Sequence, residues 1–477
     1  MRFIGRKKEL AILERLCLKK TASLVVIWGR RRIGKSTLVA EFLEGKKSWR
    51  FSGMPPHEHK TNQDEINYFV KQMVRNIGMP ELKTDSWAEI FWHLGNQAEK
   101  EKSLVIFFDE ISWIGSKDPN FLGLLKTEWD NTFSKCPNLI LILCGSVSNW
   151  IEDNIINSTG FYGRISTKLK VEELPLSDCN QFWQAQKNRV SAYEKLKLLG
   201  VTGGIPKYLE EIIPAESAEK NINHLCFRKE GLLYREYNQI FHDLFSKRIG
   251  TFDKIIRALC DGSKNLDELC ARLKEDKSGN ISRYLHELVS VGFVAEDRTW
   301  NIRNKKESNL KTFRLKDNYI RFYLKFIEPN NSKIELNGFH LESISLLSGW
   351  ESIMGLQFEN LVINNLNKLC EIIGISVQDV EKSGPFFQKK SSKHKGCQID
   401  LLIQTKFGTL YLCEMKFYLS EVGKKVVDDV QEKIQRLSYP KGYTVRPILI
   451  HVNGVTHAVI ESGLFDKIID FSQFLKD

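Results

Sequence analysis

No CxxC pair occurs anywhere in this sequence, and its 10 cysteines are scattered along it. That argues against a zinc site or a disulfide framework and suits a protein whose thiols stay reduced. Long apolar runs are missing too. The longest, LVIFF and LILILC, are of strand length and far short of the roughly 20 residues that span a bilayer. The opening MRFIGRKKEL holds no apolar core of signal-peptide length. Internal repeats and low-complexity tracts are absent. The expectation is a soluble cytoplasmic protein with no membrane partner.

Nor is there a strongly basic region, although the net charge is +11 and the pI about 9.0. Residues 1–250 carry 37 basic and 30 acidic side chains, 251–339 carry 17 and 13, and 340–477 carry 16 and 16. The excess is thin, and the last third is neutral. A chain of 477 residues is too long for one ordinary core, so about two to four domains are expected.

Chemistry is present near the start. In SLVVIWGRRRIGKSTLVAEFL an apolar strand, Leu24–Trp28, runs into Gly29-x4-Gly34-Lys35-Ser36 and then a helix. The glycines let the backbone turn its N–H groups toward phosphate oxygens, and the helix N-terminus adds partial positive charge. Lys35 reaches the outer phosphates and Ser36 offers its hydroxyl to Mg²⁺. The nucleotide-contacting set is Gly29, Ile33, Gly34, Lys35, Ser36 and Thr37. A second strand, in EKSLVIFFDEISWI, ends in Asp109, suited to Mg²⁺, and Glu110, suited to polarising the attacking water. A third, NLILILCGS, ends beside Ser146, a candidate sensor of the terminal phosphate. Strands of this kind alternating with helices imply a parallel sheet covered on both faces. The run Arg30–Arg32 either binds nucleic acid or braces neighbouring loops, and the second reading is preferred.

FIGRKKELAILERL, GRRRIGKSTL, FFDEISWI, CGSVSNWI, FYGR and TGGIPKYLE occur in an order that resembles the archaeal-type branch of the STAND P-loop ATPases, relatives of the AAA+ class. The resemblance covers about the first 330 residues. It implies that ATP is bound with Phe3–Arg6 near the adenine, that Arg164 completes the nucleotide site, and that Pro206 sits on a turn linking nucleotide state to the helices after it. Arg164 also reads as a surface cation on a loop. A nucleotide-dependent homo-oligomer is a partner expectation of the same kind.

Residues 251–298 show an apolar-periodic helix (Phe252–Cys260), a second (Asn265–Leu273), a polar break and a third (Asn280–Ser290). FVAEDRTW and TFRL then supply a wing. This is a winged helix-turn-helix pattern whose third helix is placed to enter a major groove. Lys274, Lys277, Arg283 and the RNKK of 303–306 are placed for phosphates. The alternative is a lid that follows nucleotide state, or a docking surface. RLKDNYIRFYLKFIEPN reads as an aromatic helix ending before Pro329, with a linker and domain boundary around 328–345.

The last third holds CQIDLLIQTKFGTLYLCEMKFY, a hairpin carrying Asp400, Glu414 and Lys416. Successive strand residues alternate faces, so Glu414 and Lys416 share one. Hard carboxylate oxygens beside an ammonium suit a divalent metal that cuts a phosphodiester. Glu359, in GLQFENLVINNL, is the upstream acid. The pattern resembles the PD-(D/E)XK restriction-endonuclease-like core over residues 345–477, with Ile399 where the motif's name has proline. The resemblance implies Glu359, Asp400 and Glu414 around Mg²⁺ or Mn²⁺ with Lys416 near the nucleophile. Gln435 is an auxiliary candidate, and the basic loop Lys389–Lys395 is where a phosphate backbone is met. One bland alternative is a surface ion-pair ladder on a strand hairpin, and another is a preserved fold that binds nucleic acid or protein without cleaving.

The expected fold is α/β: a P-loop NTPase parallel sheet (1–175), an all-α lid (176–250), a winged helix-turn-helix (251–335) and a smaller α/β restriction-endonuclease-like domain (345–477). The expected function is an ATP-driven switch controlling a DNA nuclease. Its rival is a signalling or scaffold switch whose last domain binds nucleic acid or protein without cleaving.

Overall fold

Unbroken apolar runs make strands that must be covered on both faces, and the computed structural model contains them. The structure describes residues 3–55, 59–146, 148–245, 248–275, 279–340, 343–390 and 395–476. The chain forms two compact units, Met1–Glu173 and Leu174–Asp477.

The first unit is built on five strands, β1 (Ser23–Trp28), β2 (Ser48–Ser52), β3 (Leu104–Asp109), β4 (Leu139–Gly145) and β5 (Ile165–Lys170), in the order β2-β3-β4-β1-β5. All neighbours are parallel. Every residue of β1 and β4 is buried, whereas the edge strand β5 alternates and exposes lysines, which blunts it against pairing with other chains. The helices Asn62–Ile77 and Trp87–Ala98 close one face with aromatic rings. Phe69 stacks on Phe51 at 4.4 Å and meets Trp87 edge-on at 5.4 Å. Because all five strands run the same way, their C-terminal ends share one edge of the sheet. Strand β4 lies between β1 and β3, so its end falls between the loops that follow those two.

The second unit contains the helical segment, the winged helix and a second sheet together. The winged-helix helices are Ile249–Leu259, Leu266–Leu273 and Gly279–Val291, within a few residues of the periodic segments. Asn265 and Glu268 form a reciprocal capping box at the second of them. The wing is an antiparallel pair, β6 (Val294–Trp300) and β7 (Glu307–Leu315).

Here the structure departs from a free DNA-facing wing. Trp300 and Ile302 belong to the same buried cluster as Phe386, Ile399, Leu402, Val426 and Leu449. Trp300 Nε1 donates to Gln404 Oε1 at 2.6 Å, and Gln404 Nε2 donates back to the Ile302 carbonyl at 2.9 Å. Lys305 pairs with Glu381 at 3.1 Å. The wing is thus part of the C-terminal core, although Arg303 and Lys306 remain exposed. Lys277 lies outside the described residues.

A second departure concerns Pro329. The aromatic helix Asn318–Phe322 continues through a π turn (Tyr323–Ile327), a 3₁₀ turn (Glu328–Asn330) and a further helical turn, Asn331–Glu335. Proline is tolerated because it opens a new helical segment, where its missing N–H is not needed. The polar NNSK is therefore a helical turn that buries Ile334, not a linker.

The second sheet has strands β8 (Val380–Gln388), β9 (Cys397–Thr405), β10 (Thr409–Lys416), β11 (Thr444–His451) and β12 (Lys467–Asp470), in the order β12-β11-β10-β9-β8. The pairs β8/β9 and β9/β10 are antiparallel, and β10/β11 and β11/β12 are parallel. The parallel step β10 to β11 needs a crossover, which the helix Lys425–Arg436 provides. The helix Trp350–Ile363 precedes the sheet. Among the described residues, no helix is long and apolar enough to cross a membrane.

Candidate functional site

At the C-terminal end of β1 the chain turns on Gly29, whose φ of 154° is one that side chains rarely adopt. A Cβ there would lie 2.3 Å from the Val171 carbonyl oxygen, so only glycine fits. Gly34, left-handed at φ 86°, starts the helix Lys35–Phe42. Lys35 folds back into the loop and donates to the Gly29 and Arg30 carbonyls at 3.0 and 3.1 Å. Ser36 and Thr37 are exposed in the first helical turn, whereas Ile33 is buried. Arg6, itself buried, donates to the Ile33 carbonyl at 3.0 Å and to the Glu172 carbonyl at 2.5 Å. It ties the N-terminal segment to the phosphate loop, a role invisible in the motif spacing. Of the three consecutive arginines, Arg30 is buried and Arg31 and Arg32 are half-buried.

Strand β3 ends in Asp109, whose Oδ1 accepts the Glu110 N–H at 3.1 Å. Glu110 is held left-handed (φ 50°, ψ 52°), a strained conformation for a residue with a Cβ. Its Oε2 accepts both the Ser146 N–H at 3.1 Å and the Ser146 hydroxyl at 2.9 Å. The insertion of β4 between β1 and β3 is what brings Ser146 to that carboxylate. The adjacent Cys144 thiol reports the grouping. Burial first, then the Asp109 charge, pushes it well above its ordinary value, and the charges of Lys35 and Glu110 reach it too.

Lys35, Asp109, Glu110 and Ser146 are thereby collected at one sheet edge. Arg164 is engaged elsewhere. Its guanidinium grips both oxygens of Asp130, at 2.7 and 2.9 Å, and that hydrogen-bonded pair holds the Asp130 carboxyl down at about 2. Pro206 begins the short helix Pro206–Leu209 in the second unit.

The second cluster is in the C-terminal sheet. The β9/β10 ladder runs from Leu410 opposite Gln404 to Cys413 opposite Leu401. Beyond it Asp400 Oδ2, rather than a backbone carbonyl, accepts the Met415 N–H at 2.9 Å. Glu414 is 1% exposed, and both its oxygens are taken by ammonium groups. Lys416 Nζ lies 2.8 Å from Oε1 and Lys433 Nζ 2.5 Å from Oε2. Lys433 also stands 3.8 Å from Asp400 Oδ1. A cleft of about 540 Å³ opens on this group, lined among others by Gln388, Gln398, Lys416, Lys433 and Arg436.

Burial, then the charge of Glu414, raises the Asp400 carboxyl above its usual range. Burial opposes the Lys416 ammonium, but Glu414 and Asp400 outweigh it and raise its affinity for the proton. Glu359, on the helix Trp350–Ile363, is pushed up to about 7, first by burial and then by Asp400, against the pull of Arg314, Arg321 and Lys416.

Sequence reasoning missed Lys433 and named Gln435, which is exposed. The signal was available, since Lys433 follows the buried Val426 and Val430 by seven and three positions on one helix face. Of the basic loop Lys389–Lys395, residues 391–394 lie outside the described set, while Lys389, Lys390 and Lys395 are exposed.

The donor chemistry at this cluster is that of a hard divalent ion, but the seating is not. Among the described residues, no group of three or more His, Cys, Asp or Glu side chains is placed to hold a metal. Two lysines hold the oxygens of Glu414 instead.

Glu359 has a consequence for stability. A carboxyl that keeps its proton to about 7 when folded, but releases it near 4.3 when unfolded, makes the folded state the better proton binder between those values. Stability contributed by that proton is full below about 4.3 and is lost as pH rises through about 7. Glu359→Gln should therefore flatten the pH dependence of denaturant unfolding in this window and gain up to about 3–4 kcal/mol over wild type at pH 8. An unchanged pH profile would contradict the buried, protonated state.

A glycine phosphate loop at the end of a buried parallel strand, with an Asp-Glu pair one strand away, defines a P-loop nucleotide-binding fold. Residues 3–212 match the family described as an ATPase domain predominantly from Archaea. Over 449 residues the chain is 25% identical to the uncharacterized protein MJECL04 of Methanocaldococcus jannaschii, covering 89% of this chain and 96% of that one. A 50-residue stretch is 48% identical to the uncharacterized ATP-binding protein MJ0423 of the same organism, 10% of this chain and 85% of that one. Among solved structures, the Walker-type ATPase PABY2304 of Pyrococcus abyssi shares the fold with a TM-score of 0.52. Its identity is 18%, over 68% of this chain and 96% of that one.

Proposed function

We propose that the chain is an ATP-hydrolysing switch whose nucleotide cycle controls a nucleic-acid-processing module in its C-terminal region. The observation that carries the first half is the gathering of Lys35, Asp109, Glu110 and Ser146 at the end of the parallel sheet. Lys35 leaves its own loop carbonyls to neutralise the outer phosphates. Ser36 and Asp109 would hold Mg²⁺, which supplies charge neutralisation at the phosphates. Glu110 orients the attacking water once Ser146 releases it. Arg164 reads the nucleotide only by leaving Asp130, and Pro206 passes nucleotide state to the following helices.

For the second half, support comes from two acids on adjacent strands, a third on the preceding helix, and lysines lining a cleft of about 540 Å³. Glu359, Asp400 and Glu414 would be the ligands of Mg²⁺ or Mn²⁺, which would supply Lewis-acid polarisation of the phosphodiester. Lys416 orients the attacked phosphate. With the wing docked in the core, DNA contact falls to the helix Gly279–Val291, where Arg283 is exposed.

A second reading, a switch whose C-terminal region binds without cleaving, is favoured by the saturation of Glu414 with ammonium groups. Purified protein with Mn²⁺ separates the two. Nicking of DNA that Asp400→Ala abolishes, with ATP turnover retained, is the expected result. Absence of metal-dependent nicking on single- and double-stranded DNA leaves the binding switch.

A further inference from the structure

The acid pair in the second sheet already has a cation. Lys433 Nζ stands 2.5 Å from Glu414 Oε2 and 3.8 Å from Asp400 Oδ1, within reach of both carboxylates. Lys416 takes the other oxygen of Glu414 at 2.8 Å. Two carboxylates against two ammonium groups leave the site neutral, so a divalent ion entering it would add uncompensated charge. It would also have to evict a group hydrogen-bonded to a carboxylate that is 1% exposed. The two lysines differ in their attachment. Lys416 is fixed to the strand that carries Glu414, whereas Lys433 reaches across from the crossover helix. Its side chain is 24% exposed, and it lines the same cleft as Arg436, Gln388 and Gln398. A four-carbon stem at the wall of an open cleft has somewhere to swing.

We propose, resting on the nuclease-like reading above, that Lys433 is a built-in stand-in for the divalent cation, and that a phosphate of a strand entering the cleft draws it away. The acid pair is then open to a metal only when nucleic acid is bound. Metal affinity and nucleic-acid affinity are coupled through this one side chain, and the coupling is reciprocal. The arrangement keeps the site idle in free protein.

The test is a titration of full-length protein with Mn²⁺, read by the electron paramagnetic resonance of the free ion, with and without a short DNA duplex. The Mn²⁺ held by DNA alone is subtracted. Wild type is expected to bind weakly alone and about tenfold or more tightly with DNA. Lys433→Gln is expected to bind tightly without DNA and to gain nothing from it. Lys433→Arg, which keeps the charge, is expected to behave as wild type.

Equal affinity in wild type and a folded Lys433→Gln, or the same gain from DNA in both, overturns the role of Lys433 and leaves the metal site standing. Binding by neither protein, with or without DNA, removes the metal reading along with it. Should Lys433→Gln fail to fold, the wild-type pair of titrations still decides, because the latch requires DNA to tighten Mn²⁺ binding.

Discussion

Lys35→Ala is expected to lose detectable ATP binding and to turn ATP over at least about 10³-fold more slowly than wild type. Glu110→Gln is expected to keep ATP and lose about 10²–10⁴-fold in turnover. The two differ because the side chains act at different moments. Lys35 is buried and bonded to the Gly29 and Arg30 carbonyls, so its ammonium is poised inside the loop that receives the phosphates. Removing it deletes the charge that binding needs and strips two buried carbonyls of a partner.

Glu110 makes no such contribution to the loop. Its amide replacement retains an oxygen to accept from the Ser146 N–H and hydroxyl, so the strained left-handed turn keeps its support. What it loses is the negative charge proposed to orient and polarise water. Phosphate release and the fluorescence of a labelled ATP analogue separate these outcomes. Turnover in Glu110→Gln equal to wild type would remove Glu110 from the chemistry.

How much of this was legible beforehand depends on the range of the interaction. The phosphate loop was plain because its chemistry is local: a glycine that must adopt φ 154°, a lysine six residues on and a helix start are all written consecutively. The three helices between Ile249 and Val291 were legible for the same reason, through apolar periodicity within single elements. The destination of the wing was not. Alternation shows that Trp300 has an apolar face to bury, but not that its core lies around Ile399 and Leu402, a hundred residues later. Lys433 was missed because a lysine near a helix end reads as solvated until the strand opposite is known. Arg164 shows the converse limit, since it sits in a turn, its partner Asp130 lies 34 positions away on a helix and no motif joins them.

The least legible residue is also the one whose loss from the second unit should cost most. Arg321 sits in the middle of an aromatic helix, where a cation is least expected, and it is fully buried. Burial draws its guanidinium down to about 10. The group remains charged because its donors are taken up by the Cys260 carbonyl at 3.2 Å, Gln357 Oε1 at 2.6 Å and the Leu315 carbonyl at 2.7 Å. Those partners come from the end of the first winged-helix helix, the helix that carries Glu359, and the end of β7. Asn360, on the same helix as Gln357, extends the network with bonds to the Leu315 carbonyl at 3.0 Å and Asn318 Oδ1 at 3.0 Å.

One side chain therefore fastens the end of the helix Ile249–Leu259 and the end of β7 to the helix that carries Glu359. Arg321→Met preserves length and apolar stem but orphans three buried acceptors at about 1–3 kcal/mol each, partly offset by the better burial of methionine. A net loss of about 3–5 kcal/mol is expected in the unfolding of the second unit, whereas Arg298→Met, at an exposed ion pair, should cost at most about 1 kcal/mol. The two units need not unfold together, so the measurement is hydrogen exchange resolved by segment. Protection should fall in Ile249–Leu259 and Trp350–Ile363 while the first unit keeps its own. Losing a positive neighbour should also move the Glu359 carboxyl further up from about 7. A folded Arg321→Met with unchanged exchange in both helices would show that the winged helix and the acid-bearing helix are held together by apolar packing alone.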